Sequence, residues 1–184
     1  PRFDRPIFVV NPPRSGSSLL FETLAQAPNI YTVGGESHGI IEGIRGLGIA
    51  ASNFDSNELD ERHARPEIAA LLRERFDQLL KDRNGAPAPA GRVRMLEKTP
   101  KNALRIPFLA KVFPEARFIY LYRDPRQVLS SMMEGWESCR FVMYRDLPGW
   151  TGERHWSFLL TPGWRELDGK PLNRVVASQW ATST

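Results

Sequence analysis

The sequence holds a single cysteine, Cys139, in 184 residues. No internal disulfide can form, and a Cys-rich zinc site is excluded. That usage fits a reducing, cytoplasmic setting. Long apolar runs are missing too. The longest span a few residues, against the roughly 20 that a membrane-spanning helix needs. The first ten residues carry Asp4 and Arg5 and lack the apolar core of a signal peptide. No repeat recurs at a fixed period, which argues against a solenoid or propeller. No basic helical face interleaved with aromatics marks a nucleic-acid surface.

What remains is the composition of an ordinary folded domain. Hydrophobic residues make up 41% and charged residues 25%, near the globular norm. Disorder, collagen and coiled coil are thereby set aside. A chain of this length buries about 70% of its unfolded surface and needs no metal or disulfide staple. The net charge is +4 and the isoelectric point about 9.5. A mildly basic surface is the plain reading and an anionic ligand the sharper one; charge alone does not choose between them. The chain starts at Pro1 rather than Met, so a piece of a longer protein is expected.

Apolar patterning predicts alternating strands and helices. Ile7-Phe8-Val9-Val10 is wholly apolar and stops at Asn11-Pro12-Pro13, as expected for a strand buried on both faces. Ser17 or Ser18 is placed to cap a helix running to Gln26, with Leu19, Leu20 and Leu24 inward. Pro66 to Asp82 has helical spacing through Ile68, Leu71, Leu72, Phe76, Leu79 and Leu80. Val93 to Lys98 reads as a strand, and a helix follows between Asn102 and Phe113. Phe118 to Tyr122 reads as a third buried strand. Asp124-Pro125 then starts a helix whose apolar face is Val128, Leu129, Met132 and Met133. Beyond Gly135 loops and short helices are expected, with one helix near Pro171 to Trp180. The order predicts an α/β domain with a parallel sheet. The stretch Asn84 to Gly91, rich in Ala, Pro and Gly, is expected to be a surface loop. The loop 83–92 is read as an internal linker of a single domain, 1–184.

Three motifs carry chemistry. Pro13-Arg14-Ser15-Gly16-Ser17-Ser18 joins a strand to a helix. Small residues there let backbone N–H groups converge beside a helix N-terminus, with Arg14 as a cation and serine hydroxyls as extra donors. It reads as a phosphate cradle or as an ordinary strand-to-helix turn. It is not a Walker A loop, because Ser17 stands where that motif needs Lys, so an ATP-dependent kinase loses ground. Second, Arg123 ends a strand and Ser131 lies about two turns into the next helix, so the two can grip one phosphate. A surface ion pair for Arg123 and a packing role for Ser131 are the alternative. Third, Glu97-Lys98-Thr99-Pro100-Lys101-Asn102 ends another strand. Ligands of α/β sheets bind beyond the carboxyl ends of strands, so Lys98 should share an edge with Arg14 and Arg123.

With these residues in place, Pro6 to Glu36 and Glu97 to Trp136 resemble the sulfotransferases that use 3′-phosphoadenosine 5′-phosphosulfate (PAPS). The loop is similar to the Arg-containing branch of bacterial and tyrosylprotein sulfotransferases. The resemblance implies a three-layer αβα fold with a parallel sheet, related to the P-loop-containing nucleotide hydrolases. It implies sulfuryl transfer to a hydroxyl or amine, with no metal. It assigns Arg14, Ser15, Gly16, Ser17 and Ser18 to the 5′-phosphosulfate, Arg123 and Ser131 to the 3′-phosphate, and Lys98 to the transferring group. Glu36 lies near the position of the catalytic glutamate of the tyrosylprotein branch, with a one-residue insertion, and an N-capping or first-turn acid of the next helix is the alternative; His38 is the rival base by its near-neutral intrinsic pKa. The expected acceptor is a small molecule, carbohydrate or lipid, without nucleic acid or a membrane span. Glu36 with Lys98 favours an enzyme over a non-catalytic nucleotide-binding module. The family's later segment over the 3′-phosphate is not found before Thr184, so C-terminal truncation is expected. The five tryptophans (136, 150, 156, 164 and 180) read as core anchors ahead of an acceptor pocket.

Overall fold

The computed structural model describes residues 2–184. Four parallel strands make the main sheet: β1 Ile7–Val10, β2 Ile30–Tyr31, β3 Arg94–Lys98 and β4 Arg117–Tyr120, in spatial order β2-β3-β1-β4. β1 is central because it is apolar throughout and can be covered on both faces. Val9 pairs with Lys98 and Val10 with Tyr120, so the carboxyl ends of β3, β1 and β4 form one edge.

The crossover helices flank this sheet. α1 (Ser17–Ala25) follows β1, α2 (His38–Glu42) follows β2, α3 (Pro66–Leu79) precedes β3, and α4 (Ile106–Val112) precedes β4. α3 and α4 share a core with Phe8 and Met95, built from Ile68, Leu72, Phe76, Phe108 and Leu109. The chain runs outward from β1 to β2 and inward from β2 to β3. Right-handed crossovers therefore put α1 on the face opposite α3 and α4, which makes three layers. Leu80 and Val93 lie on either side of the 83–92 loop and belong to one core.

The rest packs against α5 (Pro125–Glu137). A hairpin of β5 (Val142–Tyr144) and β6 (Trp156–Ser157) and the helix α6 (Leu172–Thr182) close a second core around Val128, Met132 and Trp136. Trp136, Trp156 and Trp164 are buried there, and Trp150 and Trp180 pack against them, as core anchors would.

Several sequence expectations need correction. Gly16, in the left-handed region at φ 91°, is the N-cap of α1, and no serine side chain caps it. Leu19 does not face inward; it is 73% exposed, and Ser17 is the one fully buried residue of that helix. The strand expected at 118–122 ends at Tyr120 and is a sheet edge, so Tyr120 and Tyr122 are exposed. Leu71 and Leu79 sit on the outer side of α3, which ends before Leu80. The segment 102–113 splits into a 3-10 turn, Pro100–Leu104, and α4, because Pro107 suits only a first helical turn. α5 runs past Gly135 to Glu137.

Candidate active site

The edge formed by β1, β3 and β4 opens into a cleft of about 520 Å³. Arg14, Gly16, Ser17, Ser18, Glu36, Lys98 and Arg123 line it, so residues far apart in sequence meet at one place.

The loop after β1 is shaped by left-handed residues at Arg14 (φ 68°) and Gly16 (φ 91°). For arginine this conformation is uncommon and costs free energy, which is typical of functional loops. Alternating backbone of this kind turns successive N–H groups into one concavity. The N–H groups of the first turn of α1 have no intrahelical acceptor, and they form the positive end of the helix dipole. Ser17 and Ser18 line the cleft, whereas the Ser15 hydroxyl is turned inward and donates to the Pro12 carbonyl at 2.8 Å. Ser15 therefore offers the cleft backbone only.

Arg14, Ser131 and Arg123 are in direct contact. Arg14 Nε donates to Ser131 Oγ at 3.1 Å, and Arg123 Nη1 donates to the Arg14 carbonyl at 3.3 Å. Arg123 also donates through Nε to Gln127, and Asp124 caps α5 by accepting from the Arg126 N–H. Neither Arg14 nor Arg123 has a carboxylate partner among the described residues. They are free cations beside unsatisfied N–H groups, an arrangement that attracts an anion.

Strand alternation sends Glu97 and Lys98 to opposite faces of the sheet. Lys98 enters the cleft and donates to Glu36 Oε1 at 3.0 Å. His38 Nδ1 stands 3.6 Å from Glu36 Oε2, longer than a hydrogen bond and an ion pair only when the imidazole is protonated. The His38 imidazole and the Lys98 ammonium together hold the Glu36 carboxyl below its ordinary value, against the opposing effect of burial. Glu36 lines the cleft; His38 begins α2 behind it.

Glu97 holds this segment in place. It is 1% exposed and accepts from Ser37 Oγ at 2.6 Å, from Thr99 Oγ1 at 2.5 Å and from Asn102 Nδ2 at 2.7 Å. Thr99 Oγ1 in turn accepts the Ser37 N–H at 2.7 Å. Burial raises the Glu97 carboxyl, and its hydroxyl and amide donors offset that only in part. A second buried group ties Lys101 Nζ and Arg105 Nη2 to Glu42 Oε1, at 2.9 and 2.6 Å. Burial opposes the charge on Glu42, but the two cations outweigh it and keep its carboxyl low. Among the described residues no cluster of three or more His, Cys, Asp or Glu could hold a metal ion.

Sequence reasoning had no role for Glu97 or Lys101, although both belong to the Glu97–Asn102 motif. It also missed Phe141, Met143 and Phe158, which line the cleft from the β5–β6 region. No local signal points to them, because their place depends on how the hairpin packs on α5.

The profile described as "Sulfotransferase family" matches residues 6–161. The chain belongs to the sulfotransferase family. Protein-tyrosine sulfotransferase 1 of Mus musculus is 30% identical over 129 residues, covering 69% of this chain and 33% of the mouse protein. A putative protein-tyrosine sulfotransferase of Caenorhabditis briggsae is 27% identical over 143 residues, covering 72% and 44%. Nodulation protein NoeE of Sinorhizobium fredii is 26% identical over 137 residues, covering 70% and 31%. The matched region thus spans about a third of the length of the mouse and Sinorhizobium proteins. Among solved structures, the sulfotransferase domain from the curacin biosynthetic pathway aligns with a TM-score of 0.46 and 20% identity. That alignment covers 100% of this chain and 61% of the other. No helix among the described residues is long and apolar enough to cross a membrane.

Proposed function

We propose that the protein transfers a sulfuryl group from PAPS to an acceptor hydroxyl or amine, and that residues 1–184 belong to one sulfotransferase domain. The observation that carries the reading is the Lys98–Glu36 contact of 3.0 Å, in the same cleft as Arg14, Ser17 and Ser18. A module that only held a nucleotide would have no use for a carboxylate beside that lysine. The free N–H groups of the loop and the unpaired Arg14 and Arg123 fit a ligand with two anionic ends.

When bound, the donor supplies a sulfuryl group whose bond to the leaving phosphate oxygen breaks as the acceptor oxygen bonds to sulfur. The chain's part is positioning and charge stabilisation. Gly16, Ser17, Ser18 and Arg14 hold the phosphate end, and Arg123 with Ser131 holds the 3′-phosphate. Lys98 neutralises charge around sulfur. Glu36 receives the acceptor proton. As Lys98 turns from Glu36 toward the anion, Glu36 loses a counter-charge and becomes a stronger base.

Calorimetric titration with adenosine 3′,5′-bisphosphate, with ATP as control, tests this. The bisphosphate should bind near micromolar, about −8 kcal/mol, and ATP should not. Arg123→Ala should weaken binding roughly 10- to 100-fold, the worth of charge-assisted hydrogen bonds at about 1.5–3 kcal/mol. Glu36→Gln should bind as well as the parent and lose turnover. Equal binding of ATP, or equal loss of binding in both variants, overturns the assignment.

A further inference from the structure

Lys101 and Arg105 are buried cations that share a single carboxylate. Glu42 Oε1 accepts from Lys101 Nζ at 2.9 Å and from Arg105 Nη2 at 2.6 Å, and Glu42 Oε2 accepts from Lys101 Nζ at 3.1 Å. Two cations against one carboxylate leave one positive charge over. We propose that this surplus charge serves the cleft: Lys101 is a further determinant of donor binding, and it acts on the anionic end of the donor through its field rather than by contact. The inference rests on the sulfotransferase reading above and adds a charge to that site.

Lys101 lies on the cleft side of this group. It lines the cleft together with Lys98 and Pro100, although it is only 3% exposed. It stands in the turn Pro100–Leu104 that follows β3, so it comes from the same strand end as Lys98. Its ammonium also donates to Tyr144 Oη at 3.1 Å, and that hydroxyl accepts from Asn57 Nδ2 at 2.7 Å. Tyr144 is an uncharged acceptor, so it fixes the ammonium without cancelling its charge. Arg105 donates from Nε to the Asn57 carbonyl at 2.9 Å, and its buried Nη1 has no hydrogen-bond partner among the described residues. No second carboxylate stands within 4.0 Å of either cation among those residues. Glu97, the buried acid of the same segment, accepts only from hydroxyls and an amide.

Burying a charge without a full counter-charge is unfavourable. A fold that needed only to join α2 to the turn would do so with one cation for the carboxylate, or with apolar side chains. Lys98, the neighbouring cation of the cleft, is matched by Glu36. The surplus at Lys101 differs from an exposed lysine, because its burial keeps water and salt from screening it. Its field therefore reaches an anion in the cleft without contact. Such an anion supplies the counter-charge that Glu42, shared between two cations, leaves unmet.

The test is calorimetric titration of the full chain and three variants with adenosine 3′,5′-bisphosphate at low ionic strength. Lys101→Met removes the surplus charge and should weaken binding about three- to tenfold, the effect of one charge acting across roughly 10 Å of mixed protein and water. Glu42→Gln removes the carboxylate, doubles the surplus and should tighten binding by a similar factor. The double variant Lys101→Met/Glu42→Gln carries the parent's charge and should return to within about twofold of the parent. A clamp that merely holds α2 predicts another pattern, because each single change breaks the same contact and the double change cannot repair it. Weaker binding in both single variants overturns the inference. So does a double variant that binds no better than Lys101→Met, a comparison that holds even if Glu42→Gln alone fails to fold. Either result, with the parent binding the bisphosphate, leaves the sulfotransferase reading standing. Failure of the parent to bind it overturns the reading and the inference together.

Discussion

Glu97 is a carboxylate that the fold buries without a cationic partner, and its replacement separates charge from hydrogen bonding. Glu97→Ala leaves Ser37 Oγ, Thr99 Oγ1 and Asn102 Nδ2 without their shared acceptor. At about 1 kcal/mol or more for each orphaned buried donor, the loss is at least ~3 kcal/mol. That corresponds to a fall of roughly 6–12 °C in melting temperature for a chain of this size. It also frees the Ser37 segment, and with it Glu36, so turnover should fall further than bisphosphate binding. Glu97→Gln should be mild. Its carbonyl oxygen still accepts from both hydroxyls. Its amide meets Asn102, whose Oδ1 has no partner and can turn to accept. The sign of the pH effect follows from the raised carboxyl. The folded state holds the proton more tightly than the unfolded chain does. Stability is therefore lost as pH rises from the ordinary value of 4.5 through the folded value. The glutamine variant lacks that loss, so its advantage over the parent should grow across this window. Melting curves of all three proteins between pH 4 and 8, with turnover measured alongside, provide the assay. A glutamine variant as unstable as the alanine one would refute the reasoning, because the charge itself would then be what the site requires.

Three further outcomes are expected. Glu42→Ala leaves Lys101 and Arg105 buried without their carboxylate, and urea unfolding should report a loss of about 3–5 kcal/mol. Gly135→Ala gains helix propensity but overpacks Phe158, so thermal melting should show a net loss of about 1–2 kcal/mol. Glu36 has a depressed carboxyl, so its contribution to stability is complete above pH 4.5 and is lost as pH falls through the folded value. The acid limb of kcat/KM should accordingly lie below pH 4.5, and a limb near neutrality would transfer the role of base to His38.

The sequence alone determined the features that depend on neighbours in the chain. Ile7–Val10 is apolar at every position, so it had to be covered on both faces, and it became the central strand. Asp124-Pro125 carries its own helix start, and Pro66 with a helical apolar spacing carries another. The loop Pro13–Ser18 is local chemistry of the same kind, which is why its Arg and Ser residues stood out before any fold was known. Tertiary structure decided everything that needs two distant segments to meet. Leu19 looked like a core residue, yet it stands at the mouth of the cleft, because α1 buries only a narrow stripe against the sheet. Phe118 to Tyr122 had the apolar look of a central strand, but strand order put it at an edge. Ser15 and Ser17 are equivalent in sequence and opposite in use, since the left-handed turns at Arg14 and Gly16 direct one inward and the other into the cleft. Glu97 and Lys98 are adjacent in sequence, but the period of a β-strand sends one to a buried tether and the other to Glu36. The stacked Phe141–Phe158 pair had no local signature at all. It exists because Gly135, 23 residues before Phe158 in the chain, leaves the space that two rings fill.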